Sequence, residues 1–151
     1  MRVGRVSEGV DRARRAALAT VAFALLAPIP AFAQDPRAAI VQRAARAWLA
    51  LADQLDADAL WKAAGGRLQQ STSPAQLAEI LKRDRAPRGA TVQRAVATTS
   101  FASALPGLPE GGNYALVKFR SSFANQEAAE EHVTLEVGSD YAWRVVGYAI
   151  L

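Results

Sequence analysis

The chain closes on Ala142-Trp143-Arg144-Val145-Val146-Gly147-Tyr148-Ala149-Ile150-Leu151. The stretch is β-branched and aromatic with a single charge, so it suits a strand covered on at least one face. Everything upstream reads as helices that cover such a sheet or strands that pair with it. Strict alternation turns Trp143 and Val145 toward the helices and Arg144, Val146, Tyr148 and Ile150 to the other face. Gly147 leaves room for a close helix or a bulge. A row of apolar side chains on an uncovered face points to a contact surface, either for a partner or for a homodimer.

Moving upstream, the period of two persists. Glu130 to Val137 alternates Val133, Leu135 and Val137 against His132, Thr134 and Glu136, and Gly138-Ser139-Asp140 makes a tight hairpin turn to the last strand. Asn113 to Phe123 sets Val117, Phe119 and Phe123 against Lys118 and Arg120, with a loop over 124–128. Thr91 to Phe101 is the first strand. Leu105-Pro106-Gly107-Leu108-Pro109-Glu110-Gly111-Gly112 is a wide turn by composition.

Before Thr91 the period is helical. Asp35-Pro36 reads as cap and first position of a helix reaching about Leu55, with Ile40, Val41, Ala44, Ala45, Trp48, Leu49 and Ala52 on one face. Asp56 or Asp58 caps a short helix carrying Leu60 and Trp61, and Gly65-Gly66 is expected to stop it in a left-handed turn. Ser73-Pro74-Ala75-Gln76 is a capping box that opens a third helix, with Leu77, Ile80 and Leu81 inward and a Glu79–Arg83 pair. Pro87 and Gly89 end it. Helices followed by a meander predict α+β: about three N-terminal helices packed on one face of a four-stranded antiparallel sheet.

The first 33 residues are of another kind. Five arginines precede the apolar run Ala16–Ala27, which Pro28 and Pro30 break, and Ala31-Phe32-Ala33 offers small residues for a signal peptidase. The apolar run is short of the ~20 residues that a spanning helix needs. The reading is a signal peptide cut between Ala33 and Gln34, a single domain over 34–151, a periplasmic or secreted location and no stable membrane insertion after cleavage. Residues 34–151 hold 13 Lys and Arg against 12 Asp and Glu. The basic balance of the whole chain therefore belongs largely to the leader and does not argue for nucleic acid. With no cysteine, the domain must be held by packing, and with one histidine a metal site is improbable. No cofactor is expected.

Several motifs together carry a family resemblance. They are Trp48-Leu49-x-Leu51-x-Asp53, Trp61, Arg85-x-Pro87-x-Gly89, Leu105-Pro106-Gly107-x-Pro109, Val133-Thr134 and Trp143-Arg144-Val145-x-Gly147-Tyr148. This set resembles the small exported bacterial proteins catalogued as domain of unknown function 4019, over about Ala44 to Ile150. Two positions depart from that pattern: Leu55 stands where a glycine is usual, and Glu110 where an aspartate is. The resemblance implies no activity. The element order is also similar to nuclear transport factor 2-like and cystatin-like folds, which host isomerases, dehydratases and binding modules alike.

Candidate sites are few. Trp48, Trp61, Phe119 and Trp143 are core by spacing, or line a small cavity between helices and sheet. Asp53, Asp56 and Asp58 crowd one junction, where capping accounts for two of them and a cation or a general base is the sharper reading. His132 has no nucleophile motif beside it. Lys118, Arg120, Glu136 and Arg144 share one face, as a solvated charge ladder or an anion patch. The sum is an exported module that binds a protein or small molecule in the cell envelope, without catalytic residues. The alternative is a cavity enzyme of isomerase or dehydratase type with an Asp or Glu base.

Overall fold

A computed structural model describes residues 35–151, and the leader expected over 1–33 lies outside the described residues. Helix α1 spans Pro36–Asp53. The Asp35 carboxylate accepts from the Arg37 backbone N–H, and Pro36 takes the first position, where its missing N–H costs nothing. Its buried face is Ala38, Val41, Ala45, Trp48, Leu49 and Ala52, the three-and-four spacing that covers a sheet. Asp56 caps α2 (Ala57–Ala63) through the Ala59 N–H. A short α3 follows (Gly66–Ser71), and the reciprocal Ser73–Gln76 capping box opens α4 (Pro74–Ile80). The helix widens into a π turn over Leu81–Arg85 and tightens to a 3-10 turn over Ala86–Arg88. Pro87 has no N–H for a further helical bond, and Gly89, at φ +76°, turns the chain into the sheet.

The four strands are β1 (Thr91–Ala102), β2 (Tyr114–Phe123), β3 (Gln126–Val137) and β4 (Trp143–Ile150), antiparallel neighbours in chain order. The helices pack on one face, so the fold is α+β with a meander sheet. Val41, Ala45, Trp48 and Leu49 of α1 meet Ala115, Val117, Phe119, Val133, Leu135 and Val145 in one core with Leu60, Leu77 and Leu81. Burying side chains of this size contributes about 1.5–3 kcal/mol each against the entropy of ordering the chain.

Four details differ from the sequence expectation. Gly65 is not left-handed. It lies extended, donates its N–H to the Val145 carbonyl at 2.7 Å, and a Cβ on it would stand 2.8 Å from Val146 Cγ1. Glycine is needed there for close approach to the edge of β4, and the chain resumes as α3, which has no buried residue and so left no periodic signal. Ile80 is exposed, because the π turn shifts the inward face, and Arg83 pairs with the neighbouring Asp84 in place of Glu79. The loop expected over 124–128 shrinks to a turn at Ala124-Asn125.

The fourth difference concerns β4. Thr134 pairs with Gly147 but Leu135 pairs with Val145, so Val146 is an extra residue, a β-bulge. The insertion resets the alternation beyond it. Tyr148 faces Val133 and Ile150 faces Glu131, both on the helix side, and the Tyr148 ring meets Trp48 edge-on at 5.3 Å. The expected outward row is thus corrected. Arg144 faces out, Val146 sits at the bulge, and Tyr148 and Ile150 turn inward.

Leu55 holds a left-handed backbone position. It follows the end of α1 at φ +56°, with the Leu55 N–H on the Ala52 carbonyl and the Asp56 N–H on the Leu51 carbonyl, the bond pair that closes a helix through a left-handed residue. A left-handed leucine is strained by about 1–2 kcal/mol, and this side chain is exposed. Leu55→Gly should raise stability by about 0.5–1 kcal/mol once glycine's own entropy cost is subtracted. Thermal melts would check this, and a lowered Tm would contradict the strain.

Candidate functional site

Two places hold chemistry, one on each face of the sheet. The inner one is an ion network between α1, the π turn and the strands. Arg94 of β1 donates to both of its acids. Its Nε reaches Glu131 Oε2 at 2.6 Å and its Nη2 Glu131 Oε1 at 3.1 Å, while Nη1 and Nη2 reach the two Asp53 oxygens at 2.8 and 2.9 Å. Glu131 is wholly buried and also accepts from the hydroxyls of Ser121 and, at 2.7 Å, Tyr148. Arg85, 3% exposed, donates to Asp53, to the Gly89 carbonyl at 2.6 Å and to Thr91 Oγ1, and its guanidinium lies over the Phe123 ring. Thr91 in turn donates to Asp53.

The network holds two acids and two guanidiniums, so it is formally neutral and saturated. Among the described residues, no fully buried side-chain nitrogen or oxygen lacks a partner. Burial pushes the Asp53 carboxyl up, but the hydrogen bonds from Arg94 and Arg85, the Arg94 charge and Thr91 outweigh it and hold the group below its ordinary range. Burial and the neighbouring Glu131 carboxylate push the Tyr148 phenol far above its ordinary value. A lowered Asp53 contributes stability above its unfolded pKa of about 3.9, and that contribution is lost as pH falls through the folded value. The stability advantage of the wild type over Asp53→Asn should therefore be full at neutral pH and shrink in acid below the ordinary aspartate range. Melts from neutral to acid pH would check it, and an advantage independent of pH would contradict the assignment.

The residues singled out from sequence now have places. Trp48 is 3% exposed, donates its Nε1–H to the Leu60 carbonyl at 3.1 Å and fills the space between α1, α2 and Tyr148. Phe119 is fully buried at the centre of the sheet. Trp61 donates to the Thr72 carbonyl and holds α2 to the α3–α4 junction, while Trp143 meets Phe101 edge-on at 5.9 Å. These four are dispersed through the core and its margins and do not converge on one space. Asp53 belongs to the network, Asp56 caps α2, and the three junction aspartates do not come together on a ligand; among the described residues no group of three or more His, Cys, Asp or Glu is placed to hold a metal. Glu136 pairs with Arg67 of α3, Arg144 with Asp140, and Lys118 lies 3.7 Å from Glu130, so Glu136 and Arg144, opposite each other in register, each bond elsewhere.

Glu131 and Arg94 carry no motif in the sequence and Arg85 enters only as a motif residue, yet signals for their placement existed. Glu131 is two residues before Val133 and so shares its inner face. Arg94 is two residues before Val96 and so shares its inner face. Arg85 follows Leu77 and Leu81 at intervals of four on one helical face.

The outer place is a groove of about 410 Å³ across β2, β3 and β4. Gly147 and Ala149 leave its floor shallow, Leu116 and Val146 flank it, and Leu105 and Leu108 of the long β1–β2 loop overhang it. That loop is fixed by Tyr114, whose buried ring lies against Gly112 and whose hydroxyl donates to the Pro109 carbonyl. His132 and Thr134 are the groove's polar lining, and His132 Nε2 faces Glu130 Oε1 at hydrogen-bonding distance.

A family model described as protein of unknown function (DUF4019) matches residues 44–148. Every member of the inner network and all residues that line the outer groove but Ala149 fall inside this span. No curated protein and no solved structure matches the chain.

Proposed function

The chain belongs to the DUF4019 family, and from that premise we propose that it is an exported module that binds a ligand or partner through the outer face of its sheet and performs no catalysis itself. The observation that carries this reading is the outer groove: an apolar concavity on the face the helices leave uncovered, walled by an ordered loop. Export rests on the basic, apolar and small-residue pattern of residues 1–33, with cleavage between Ala33 and Gln34 and a periplasmic or secreted product. Its partner is then a component of the cell envelope, and a second copy of the chain would use the same face.

One observation favours the cavity-enzyme reading, since a buried acid, Glu131, does lie between helices and sheet. Its oxygens are taken by Arg94, Ser121 and Tyr148, so no lone pair is free for a substrate proton, and the acid acts as a staple. Native mass spectrometry on protein recovered gently from envelope extract tests the proposal. The expected spectrum shows chains beginning at Gln34 with a bound mass. A bare monomer that captures nothing, or a turnover that Asp53→Asn abolishes, would contradict it.

A further inference from the structure

Resting on the outer face as the binding surface, we propose that the groove takes an uncharged small molecule, in chemical class an apolar alcohol. Its volume, about 410 Å³, lies near the lower end of small-molecule sites, which run to ~300–1,000 Å³. The register sets its floor as the cross-strand row Leu116–Thr134–Gly147 and, beside it, His132–Ala149. Gly147 puts no side chain beside Thr134. A Cβ built on it would stand 3.5 Å from Thr134 Cβ and 3.7 Å from its Oγ1, so the hydroxyl is bare at the floor. Among the described residues neither that hydroxyl nor His132 Nδ1 has a partner in the protein, and no enclosed polar side-chain atom lacks one, so both are open to solvent. The Glu130 carboxylate can only accept, so His132 Nε2 carries the proton toward it, and Nδ1 of the neutral ring is left an acceptor. His132 and Thr134 are two residues apart on one face. A ligand hydroxyl can donate to Nδ1 and accept from Thr134, while its apolar body lies over Gly147 and Ala149 beneath Leu105 and Leu108.

The absence of charge on the ligand follows from the lining. Among the described residues no Lys, Arg, Asp or Glu side chain lines the groove. The charges around it are committed elsewhere: Lys118 to Glu130, Glu136 to Arg67 and Arg144 to Asp140. Arg120 belongs to a separate concavity with Gln93 and Ser122. Leu151 pairs through its backbone with Glu130, outside the lining, and is exposed. An ionic end drawn into the groove would therefore lose its water and meet no opposite charge in the lining, a cost that one hydrogen bond does not offset. Left in water at the open margin, it would hold part of its chain out as well, so an ion binds more weakly than the alcohol of equal length.

The test is calorimetric titration of the purified protein with 1-octanol, octanoate, octyltrimethylammonium and, as a probe held by its rings alone, anilinonaphthalene sulfonate. Octanol should bind about fivefold or more tightly than either ion of the same chain length. Thr134→Val keeps the side-chain shape and removes the hydroxyl. It should weaken octanol by about threefold or more, the loss of one hydrogen bond, and leave the dye's affinity unchanged. Gly147→Leu, which fills the floor, should abolish all binding with the circular dichroism spectrum intact, and Ala149→Leu serves if that variant does not fold. An octyl ion that binds as tightly as octanol, or a Thr134→Val variant with octanol unchanged, would overturn the uncharged-alcohol class and leave the groove reading standing. Binding of none of the four would overturn the small-molecule class, while the mass captured in the native spectrum tests the outer face by itself. Binding that survives the filled floor would overturn both.

Discussion

Glu131→Ala is expected to destabilise the protein by about 3–5 kcal/mol, the range for breaking a buried ion pair from one side. The loss comes less from the pair itself than from what is left behind. Arg94 would keep Asp53 but face an apolar void with its Nε, and the Ser121 and Tyr148 hydroxyls would lose their acceptor. Each buried donor stranded in this way costs about 1–3 kcal/mol. Because the carboxylate joins β1, β3 and β4 at one point, the damage should be cooperative. A double-mutant cycle of Glu131→Ala with Arg94→Met should return a coupling of at least about 1 kcal/mol, since the second change removes the guanidinium that the first orphaned. Urea unfolding would measure both. A single-mutant loss under 1 kcal/mol, or strict additivity, would mean that the network is not saturated as described.

The second large effect is at Trp48. Trp48→Ala should cost about 3–5 kcal/mol, as for other large core aromatics cut to alanine. The ring meets Tyr148 edge-on, and its N–H satisfies the Leu60 carbonyl within the α1–α2 contact. Trp48→Phe keeps much of the volume but removes that donor, and should cost about 1–3 kcal/mol. The two variants separate a core tryptophan from one that lines an open cavity. A cavity-lining ring would lose little on truncation, so a Trp48→Ala loss below 1 kcal/mol in the same unfolding experiment would reopen the inner cavity as a ligand site.

Much of the architecture was legible because helix caps and strand alternation are local signals. Asp35-Pro36 and the Ser73–Gln76 box mark helix starts by chemistry that acts within three residues. The face of β4 was not legible beyond Val146. A bulge changes no residue's propensity, only the count of residues between two hydrogen bonds, and its partner spacing exists only after pairing. Gly147 marks an irregular position in the sequence, while the insertion is Val146, one residue earlier. The inner network was hidden for a different reason. Charged residues are ordinarily placed outside, and Glu131 and Arg94 can sit inside only because each brings the other, 37 residues away. Asp53 was noticed for its charge but read with its sequence neighbours Asp56 and Asp58, when its partners are Arg85 and Arg94 on later elements. The outer groove depends on a loop whose course no local pattern sets.

The measurement that bears most directly on the two-faced account is an amide shift map of the ¹⁵N-labelled protein during titration with an apolar dye, anilinonaphthalene sulfonate. Shifts are expected at Leu105, Leu108, Leu116, His132, Thr134 and Ala149, with Asp53, Arg85 and Arg94 unmoved. Shifts centred on Asp53, Arg94 and Glu131 would place the binding site between helices and sheet and contradict the account.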